Sequence, residues 1–237
     1  MIKIIGKYIK FNYPDSVIYL LLMIGFTLMI TVFNYQFRHK RIQGYAAYIR
    51  YFVSFFFFLF LLPFLFILFF VDRPGRYLQE VGFTFGDVDK GLIFLLIGLP
   101  LVYLISLFSV KKEDIQAQYP FSKEACQSPG RFVLYEICYA VFYYFAWEFV
   151  FRGLILFTLL EKNGFLIAVF IQTVLSTVYH IGHPKSEITG ALAGGIIFGA
   201  VTFFSGSFFY SFVLHAFLGI SNDTLLYLRI HRPKVAP

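Results

Sequence analysis

Apolar residues occur along the chain in seven long runs that are separated by short polar segments. A helix that crosses the hydrocarbon core of a bilayer needs about 20 predominantly apolar residues, and most of the runs approach or exceed this length. The runs cover residues 17–33, 52–71, 92–110, 132–160, 165–179, 188–204 and 208–228. This pattern predicts an all-α fold, a polytopic transmembrane helix bundle of about seven spans, within a range of about six to eight.

Composition indicates the same class of protein. Of the 237 residues, 59% are hydrophobic and 14% are charged, whereas soluble domains have about 45–50% apolar and about 25% charged residues. These values exclude a soluble enzyme, a nucleic-acid-binding module and a disordered tail. The formal net charge of +7 then indicates contact with anionic lipid headgroups rather than nucleic acid. We expect a multi-pass integral membrane protein with membrane lipid as a partner. Its Phe-rich, short-looped chain favours the inner (cytoplasmic) membrane of a bacterium.

The loop charges predict how the spans alternate across the membrane. Basic residues gather in cytoplasmic loops, and residues 34–51 carry only basic charges, namely Arg38, Lys40, Arg41 and Arg50. Alternation then places residues 111–131 and 180–187 on the same cytoplasmic side. The loop before residue 92 is mixed in charge, as expected of the opposite side.

The chain divides into two predicted parts. Residues 1–76 comprise an N-terminal segment and the first two transmembrane helices, and residues 77–237 comprise the functional core. Three lysines share one face of the N-terminal segment, which predicts an interfacial helix: Lys3, Lys7 and Lys10. In the core, Gly190-xxx-Gly194 and Gly195-xxx-Gly199 predict a helix that a neighbouring backbone approaches closely.

Ionisable residues inside the apolar runs are the candidates for function, because lipid penalises them and they mark functional sites by default. They fall into three groups. Glu148 and Arg152 are spaced four apart, on one helical face. The second group is His180, His183 and Glu187 after the fifth run, and the third is His215, Asn222 and Asp223 in the seventh run. Taken singly, they fit a structural ion pair, a core histidine or a helix cap. Three separate spans each deliver a Glu or a His, which favours one shared site.

Three of these patterns resemble a known family. Glu148-xxx-Arg152, a span that ends in His180, and His215 in the last span follow the order of motifs in the CPBP (Abi) family. That family contains type II CAAX prenyl endopeptidases and bacteriocin-processing relatives, and its motifs are Glu-Glu-xxx-Arg, Phe-xxx-His and His-xxx-Asn/Asp. The resemblance covers residues 77–228.

The chain departs from the family pattern at three motif positions. Trp147 stands where the first Glu of the family would be, Ser176 replaces the motif Phe, and Gly219 replaces the motif Asn or Asp. This indicates a divergent branch in which Glu187 and Asp223 are the candidates for the missing polar groups.

The resemblance implies an intramembrane endopeptidase that hydrolyses a peptide bond with an activated water. A carboxylate near His180 would take the proton of that water. Glu148 is the first candidate for this base and Glu187 is the alternative. Arg152 is expected to hold Glu148 in place.

The oxyanion and a metal complete the expected site. His215, helped by Asn222 or Asp223, would stabilise the oxyanion of the tetrahedral intermediate. The family name implies a metalloprotease, and His180, His215 and Glu148 would form a three-ligand site for a divalent metal such as zinc. Metal-free activation of water by Glu and His fits the same residues.

Two other functions stay open at this point. One is a catalytically inactive family member that holds or protects a partner, as in bacteriocin immunity. The other is a binding or transport protein whose buried polar groups form a proton relay or a headgroup site. For an enzyme, the expected substrate is a membrane-embedded or lipidated peptide or protein. The oligomeric state is left open.

Overall fold

The computed structural model describes residues 14–28 and 44–231, and this part of the chain is helical without a strand. We label its helices α1 Pro14–Leu28, α2 Tyr45–Phe70, α3 Pro74–Glu80, α4 Val88–Ser109, α5 Glu113–Gln118, α6 Pro129–Asn163, α7 Phe165–Tyr179, α8 Lys185–Ser205 and α9 Phe209–Ile230. Seven long helices in the described residues follow the seven apolar runs, which confirms the predicted fold class. Lys3, Lys7, Lys10, Arg38, Lys40 and Arg41 lie outside the described residues.

Length and hydropathy identify the spans most clearly in four helices. Within the described ranges α2, α4, α6 and α8 are long and apolar enough to cross a bilayer, and α1 and α7 contain shorter apolar helices. The helix α4 continues through Pro100 without a break. The predicted multi-pass membrane protein is therefore supported by helix length as well as by composition.

Local signals in the sequence explain where the helices begin and end. Asp87 caps α4, because its Oδ1 accepts a hydrogen bond from the Lys90 N–H at 3.1 Å. A proline occupies the first turn of α6, where its missing N–H costs nothing. Gly164 alone separates α6 from α7 and has a φ of 77°, a conformation that glycine adopts without strain.

The loops meet at two ends of the bundle, as the predicted alternation requires. At one end, which we call the inner end, the Tyr45 N–H donates to Glu124 Oε2 at 2.9 Å and the Ser186 hydroxyl donates to Asp114 Oδ2 at 2.8 Å. At the other, outer end, the Asp87 N–H donates to the Ser205 carbonyl at 2.7 Å. The inner end is the predicted cytoplasmic side.

An aromatic core holds α6 against the N-terminal helices. Phe52 stacks on Tyr139 with 4.7 Å between ring centroids, and Phe55 packs on Tyr143 at 4.3 Å. Lipid tails are as apolar as these rings, so close packing rather than removal from water stabilises the contact. The core fixes one face of α6 and leaves its polar face toward α9.

Two stretches of α6 are wound as a π-helix, and they lie on both sides of Glu148. They are Tyr139–Tyr144 and Phe149–Ile155. Such wide turns are rare and occur often at functional sites. A π-helical turn contains more residues than an α-helical turn, so it changes which side chains of α6 share a face. The regular α-helical period therefore does not predict the directions of the side chains around Glu148.

The glycine prediction is correct for one of the two pairs. A Cβ on Gly195 would lie 2.7 Å from Thr173, and one on Gly199 would lie 2.8 Å from Gln172 Nε2, so α7 packs tightly on this pair. A Cβ on Gly190 would meet nothing within 4 Å, and one on Gly194 would meet only Phe198 of its own helix. The close approach of α7 and α8 therefore depends on Gly195 and Gly199.

Candidate active site

The site begins where α7 ends. This helix has 15 residues and spans about 22 Å, less than the hydrocarbon thickness of about 30 Å. The turn after it, and the first turn of α8 with Glu187, therefore bring polar groups inside the bundle. Pro184 immediately precedes α8.

His180 and Glu187 face each other across this turn. His180 Nδ1 lies 2.7 Å from the Ser176 carbonyl oxygen, so Nδ1 carries a proton and donates it there, which leaves Nε2 of the neutral ring as an acceptor. Nε2 is 3.8 Å from Glu187 Oε1, too far for a direct hydrogen bond but a separation that one water bridges. His183 Nδ1 is 3.0 Å from the same Glu187 oxygen.

Glu148 and His215 form the second half of the site. His215 Nδ1 lies 2.6 Å from Glu148 Oε1, and Arg152 Nη1 lies 3.3 Å from the same oxygen. Glu148 therefore holds the His215 ring in a fixed orientation through a short hydrogen bond. The predicted Glu148–Arg152 pair is present, and His215 is its third member.

Trp147 contacts the histidine of each half. Its side chain is buried, and its ring centroid is 4.9 Å from that of His180 and 6.2 Å from that of His215. Phe151 and Tyr143 pack on it at 4.7 Å and 5.8 Å. The place of the first family Glu is thus filled by a packed indole, and the carboxylate beside His180 comes from α8 instead.

Solvent exposure distinguishes the two carboxylates. The side chain of Glu187 is 18% exposed and that of His180 is 13% exposed, whereas Glu148 is 0% exposed. A general base must reach the water whose proton it takes. The geometry therefore favours Glu187 over Glu148, the first candidate from the sequence, as the base.

Asn222 and Asp223 do not lie beside His215. Asp223 is eight residues further along α9, about 12 Å along the helix axis. Its electrostatic neighbours are Glu136, Lys123 and Glu187. The expectation that these residues help His215 at the oxyanion is not supported, because the helix carries them too far along its axis.

Glu136 is a polar residue that sequence reasoning missed. It lies in α6, is 7% exposed, and its carboxyl group lies beside that of Asp223 in α9. A lone Glu within the apolar start of the fourth run was the available signal.

The predicted zinc ligands are divided between the two halves. Glu148 Oε1 and His215 Nδ1 hydrogen-bond to each other, and His180 packs on the Trp147 ring. Within residues 14–28 and 44–231, no three His, Cys, Asp or Glu side chains are grouped so that they could hold a metal ion. The arrangement of donors therefore does not fit the expected three-ligand site.

Comparison with known proteins gives one match, to a family. Neither the curated proteins nor the solved structures contain a match to the chain. Residues 129–220 match the family described as Rce1-like, type II CAAX prenyl endopeptidase Rce1-like. The matched region includes Glu148, His180, Glu187 and His215 and ends before Asn222. The chain is thus similar, over α6 to the middle of α9, to Rce1-like type II CAAX prenyl endopeptidases, which is consistent with a CPBP-family intramembrane protease.

Proposed function

We propose that the protein is an intramembrane endopeptidase that hydrolyses a peptide bond of a membrane-embedded or lipidated substrate in a bacterial cytoplasmic membrane. The observation that carries the proposal is the 3.8 Å separation of His180 Nε2 and Glu187 Oε1, which accommodates one water between an acceptor nitrogen and a carboxylate. The family match over residues 129–220 supports the same reaction class.

The first step is the attack of water. Glu187 accepts a proton from a water that His180 Nε2 also binds, and the water oxygen forms a bond to the peptide carbonyl carbon. The Ser176 carbonyl keeps the His180 ring in the orientation that presents Nε2. Glu187 then donates its proton to the amide nitrogen as the C–N bond breaks.

The second half of the site stabilises the charge that develops on the carbonyl oxygen. In its protonated form His215 donates Nε2–H to this oxyanion while Nδ1–H stays bound to Glu148. Glu148 balances the positive charge of the ring, and Arg152 keeps the buried carboxylate ionised and in place. In this account Glu148 is a positioning residue rather than the base.

The proposed hydrolysis routes no step through a metal, because the donor groups are divided between the two halves. Elemental analysis of protein purified without chelator tests this directly. We expect less than one tenth of an equivalent of zinc per chain, on the order of adventitious binding. A stoichiometry near one, with activity lost on chelation and restored by zinc, would require a metal-dependent reaction.

The test of the function is cleavage in reconstituted lipid vesicles. Synthetic peptides with a farnesylated cysteine near the C-terminus are compared with the same peptides without the lipid, and the products are identified by mass spectrometry. We expect the wild type to cleave and His180→Gln to cleave at least about 100-fold more slowly. His231→Gln, the same substitution at an exposed residue at the inner end of α9, is the matched control and should cleave at the wild-type rate. Equal rates for wild type and His180→Gln would overturn the proposal, and no cleavage of any peptide would favour an inactive family member.

One observation favours a second function, proton or ion transport. Glu136 and Asp223 add buried carboxylates between the His215 half-site and the inner end, so polar groups extend along α6 and α9. Acidification of vesicles loaded with a pH-sensitive dye distinguishes the two functions. A transporter would acidify the lumen in response to a gradient and lose this activity in Asp223→Asn, whereas the peptidase would not.

A further inference from the structure

Gly219 lies one helical turn after His215, on the same face of α9. A Cβ added to Gly219 would lie 2.0 Å from the hydroxyl oxygen of Tyr144 and 2.6 Å from its Cζ. No side chain larger than hydrogen therefore fits at this position while Tyr144 keeps its place. The Tyr144 hydroxyl occupies the space where a side chain at position 219 would begin.

Tyr144 also touches His215 directly. Their ring centroids are 4.7 Å apart with the planes at 61°, an edge-to-face contact. Tyr144 lies one turn before Glu148 on α6, and Glu148 holds His215 Nδ1 at 2.6 Å. Tyr144 and Glu148 thus contact the same imidazole from one helix.

This placement supplies a second hydrogen-bond donor beside His215. Asn222 and Asp223 lie further along α9, and Gly219 has no side chain, so α9 provides only His215 to the oxyanion. Removing one of two oxyanion donors costs about 10²–10³ in kcat, so a second donor beside His215 has a large effect. The phenol of Tyr144 is a neutral donor of the right kind.

We propose that Tyr144 is a catalytic residue whose O–H donates a hydrogen bond to the oxyanion together with His215 Nε2–H. The inference rests on the proposed peptidase function. As water attacks, the electron pair of the C=O bond moves to the carbonyl oxygen, which accepts both hydrogen bonds. The Tyr144 O–H bond stays intact, and the hydrogen bond weakens again when the C–N bond breaks and the carbonyl reforms.

The first test separates kcat from KM. Tyr144→Phe removes only the hydroxyl, and we expect kcat to fall about 10²–10³-fold with little change in KM. Tyr143→Phe is the matched control, because Tyr143 is the neighbouring residue on the same helix and packs on Phe55 and Trp147 instead of His215. We expect Tyr143→Phe to keep the wild-type kcat.

The second test is rescue by a side chain on the other helix. Tyr144→Ala vacates the space in front of Gly219, and the added change Gly219→Asn then places an amide donor one turn from His215. We expect the double variant to recover at least tenfold over Tyr144→Ala alone, whereas Gly219→Asn with Tyr144 intact loses activity through the steric conflict. A purely structural role of Tyr144 would not give this recovery.

The outcomes also distinguish the inference from the function on which it rests. If the wild type cleaves, His180→Gln abolishes cleavage and Tyr144→Phe keeps the wild-type kcat, the role of Tyr144 is overturned and the peptidase stands. If His180→Gln cleaves as fast as the wild type, or no variant cleaves, the peptidase mechanism fails and the role of Tyr144 fails with it.

Discussion

Trp147 determines at the level of a single residue how this site is assembled. It occupies the motif position of a carboxylate, and its ring packs on Phe151, Tyr179 and His180 with centroids 4.7–5.1 Å apart. A buried carboxylate without a partner would be costly at such a position. The carboxylate nearest His180 Nε2 comes from another helix, namely Glu187 at the start of α8 at 3.8 Å, and it is the base of the proposed mechanism.

The packing of Trp147 is tested by changes of size. Trp147→Ala leaves a large cavity in the aromatic core and should lower the free energy of unfolding by about 3–5 kcal/mol. Trp147→Phe keeps an aromatic ring and should cost less than half of this. Reversible unfolding in mixed micelles measures both. Equal stability of Trp147→Ala and wild type would mean that the indole is not a packing element.

The buried ion pair is tested by removing its cation. Arg152→Met removes the cation beside the buried Glu148 carboxylate and should cost about 3–5 kcal/mol of stability. The double variant Arg152→Met/Glu148→Gln removes the uncompensated charge and should recover part of that loss in the same unfolding experiment. A double variant less stable than Arg152→Met would contradict the pairing.

The sequence was enough to predict most of the residues of the candidate site, but not which of their side chains face each other. Lipid penalises charges, so Glu148, His180 and His215 stand out in a chain that is otherwise apolar. Which carboxylate faces which histidine depends on the turn that carries Glu187, and spacing along the chain does not reveal that. Tyr144 gave no signal, because the chain contains 17 tyrosines and only the close approach to Gly219 singles it out.

At the level of helices, the contact between α7 and α8 positions both groups that are proposed to activate water. His180 follows α7 and Glu187 lies in the first turn of α8, so any shift between these helices changes their separation. Gly195 and Gly199 allow the helices to approach, and the Gln172 side chain donates to the Gly195 carbonyl at 2.7 Å. The sequence predicted a glycine face on α8, but it did not show which of the two pairs meets a neighbour.

The glycine contact is tested by adding side chains to α8. Gly199→Leu should push α7 away, abolish cleavage and lower stability, because a Cβ there already meets Gln172 at 2.8 Å. Gly190→Leu on the same helix should leave both unchanged, since its Cβ would meet nothing within 4 Å. Equal effects of the two substitutions would show that α7 does not pack on Gly199.

The start of α8 is held by a hydrogen bond that depends on pH. Asp114 Oδ2 accepts from the Ser186 hydroxyl and backbone N–H, and the hydroxyl bond lowers the pKa of Asp114 below its usual value of 3.8. A lowered pKa stabilises the folded state at pH above the unfolded value, and the effect is lost as the pH falls through the folded pKa.

We therefore expect Asp114→Ala to lower the thermal unfolding temperature slightly at pH 7. The difference from the wild type should begin to shrink as the pH falls below 3.8 and should vanish below the lowered pKa of Asp114 in the folded protein. Asp89→Ala, an exposed aspartate at the outer end, serves as the control for a general charge effect. A difference that persists unchanged at pH 3 would rule out the hydrogen bond as its cause.

At the level of the whole molecule, the N-terminal helices pack on the region that carries the proposed site. Phe26 of α1 packs on Phe151 and Tyr179, and Phe55 of α2 stacks on Trp147. The groups of the proposed mechanism come from α6 to α9. The span count could be predicted because a run of apolar residues has a minimum length in a bilayer, whereas the π-helical turns of α6 and the short α7 that orient these groups required the structure.

The central claim is that Glu187, and not Glu148, is the base. The most direct measurement is the kcat and KM of Glu187→Gln in lipid vesicles, beside Glu148→Gln and the exposed control Glu161→Gln. The account predicts that Glu187→Gln lowers kcat by at least about 100-fold and leaves the unfolding temperature unchanged. Glu148→Gln should lose stability as well as activity. Glu161→Gln should have the kcat and the stability of the wild type. A Glu187→Gln variant that cleaves at the wild-type rate would contradict the account.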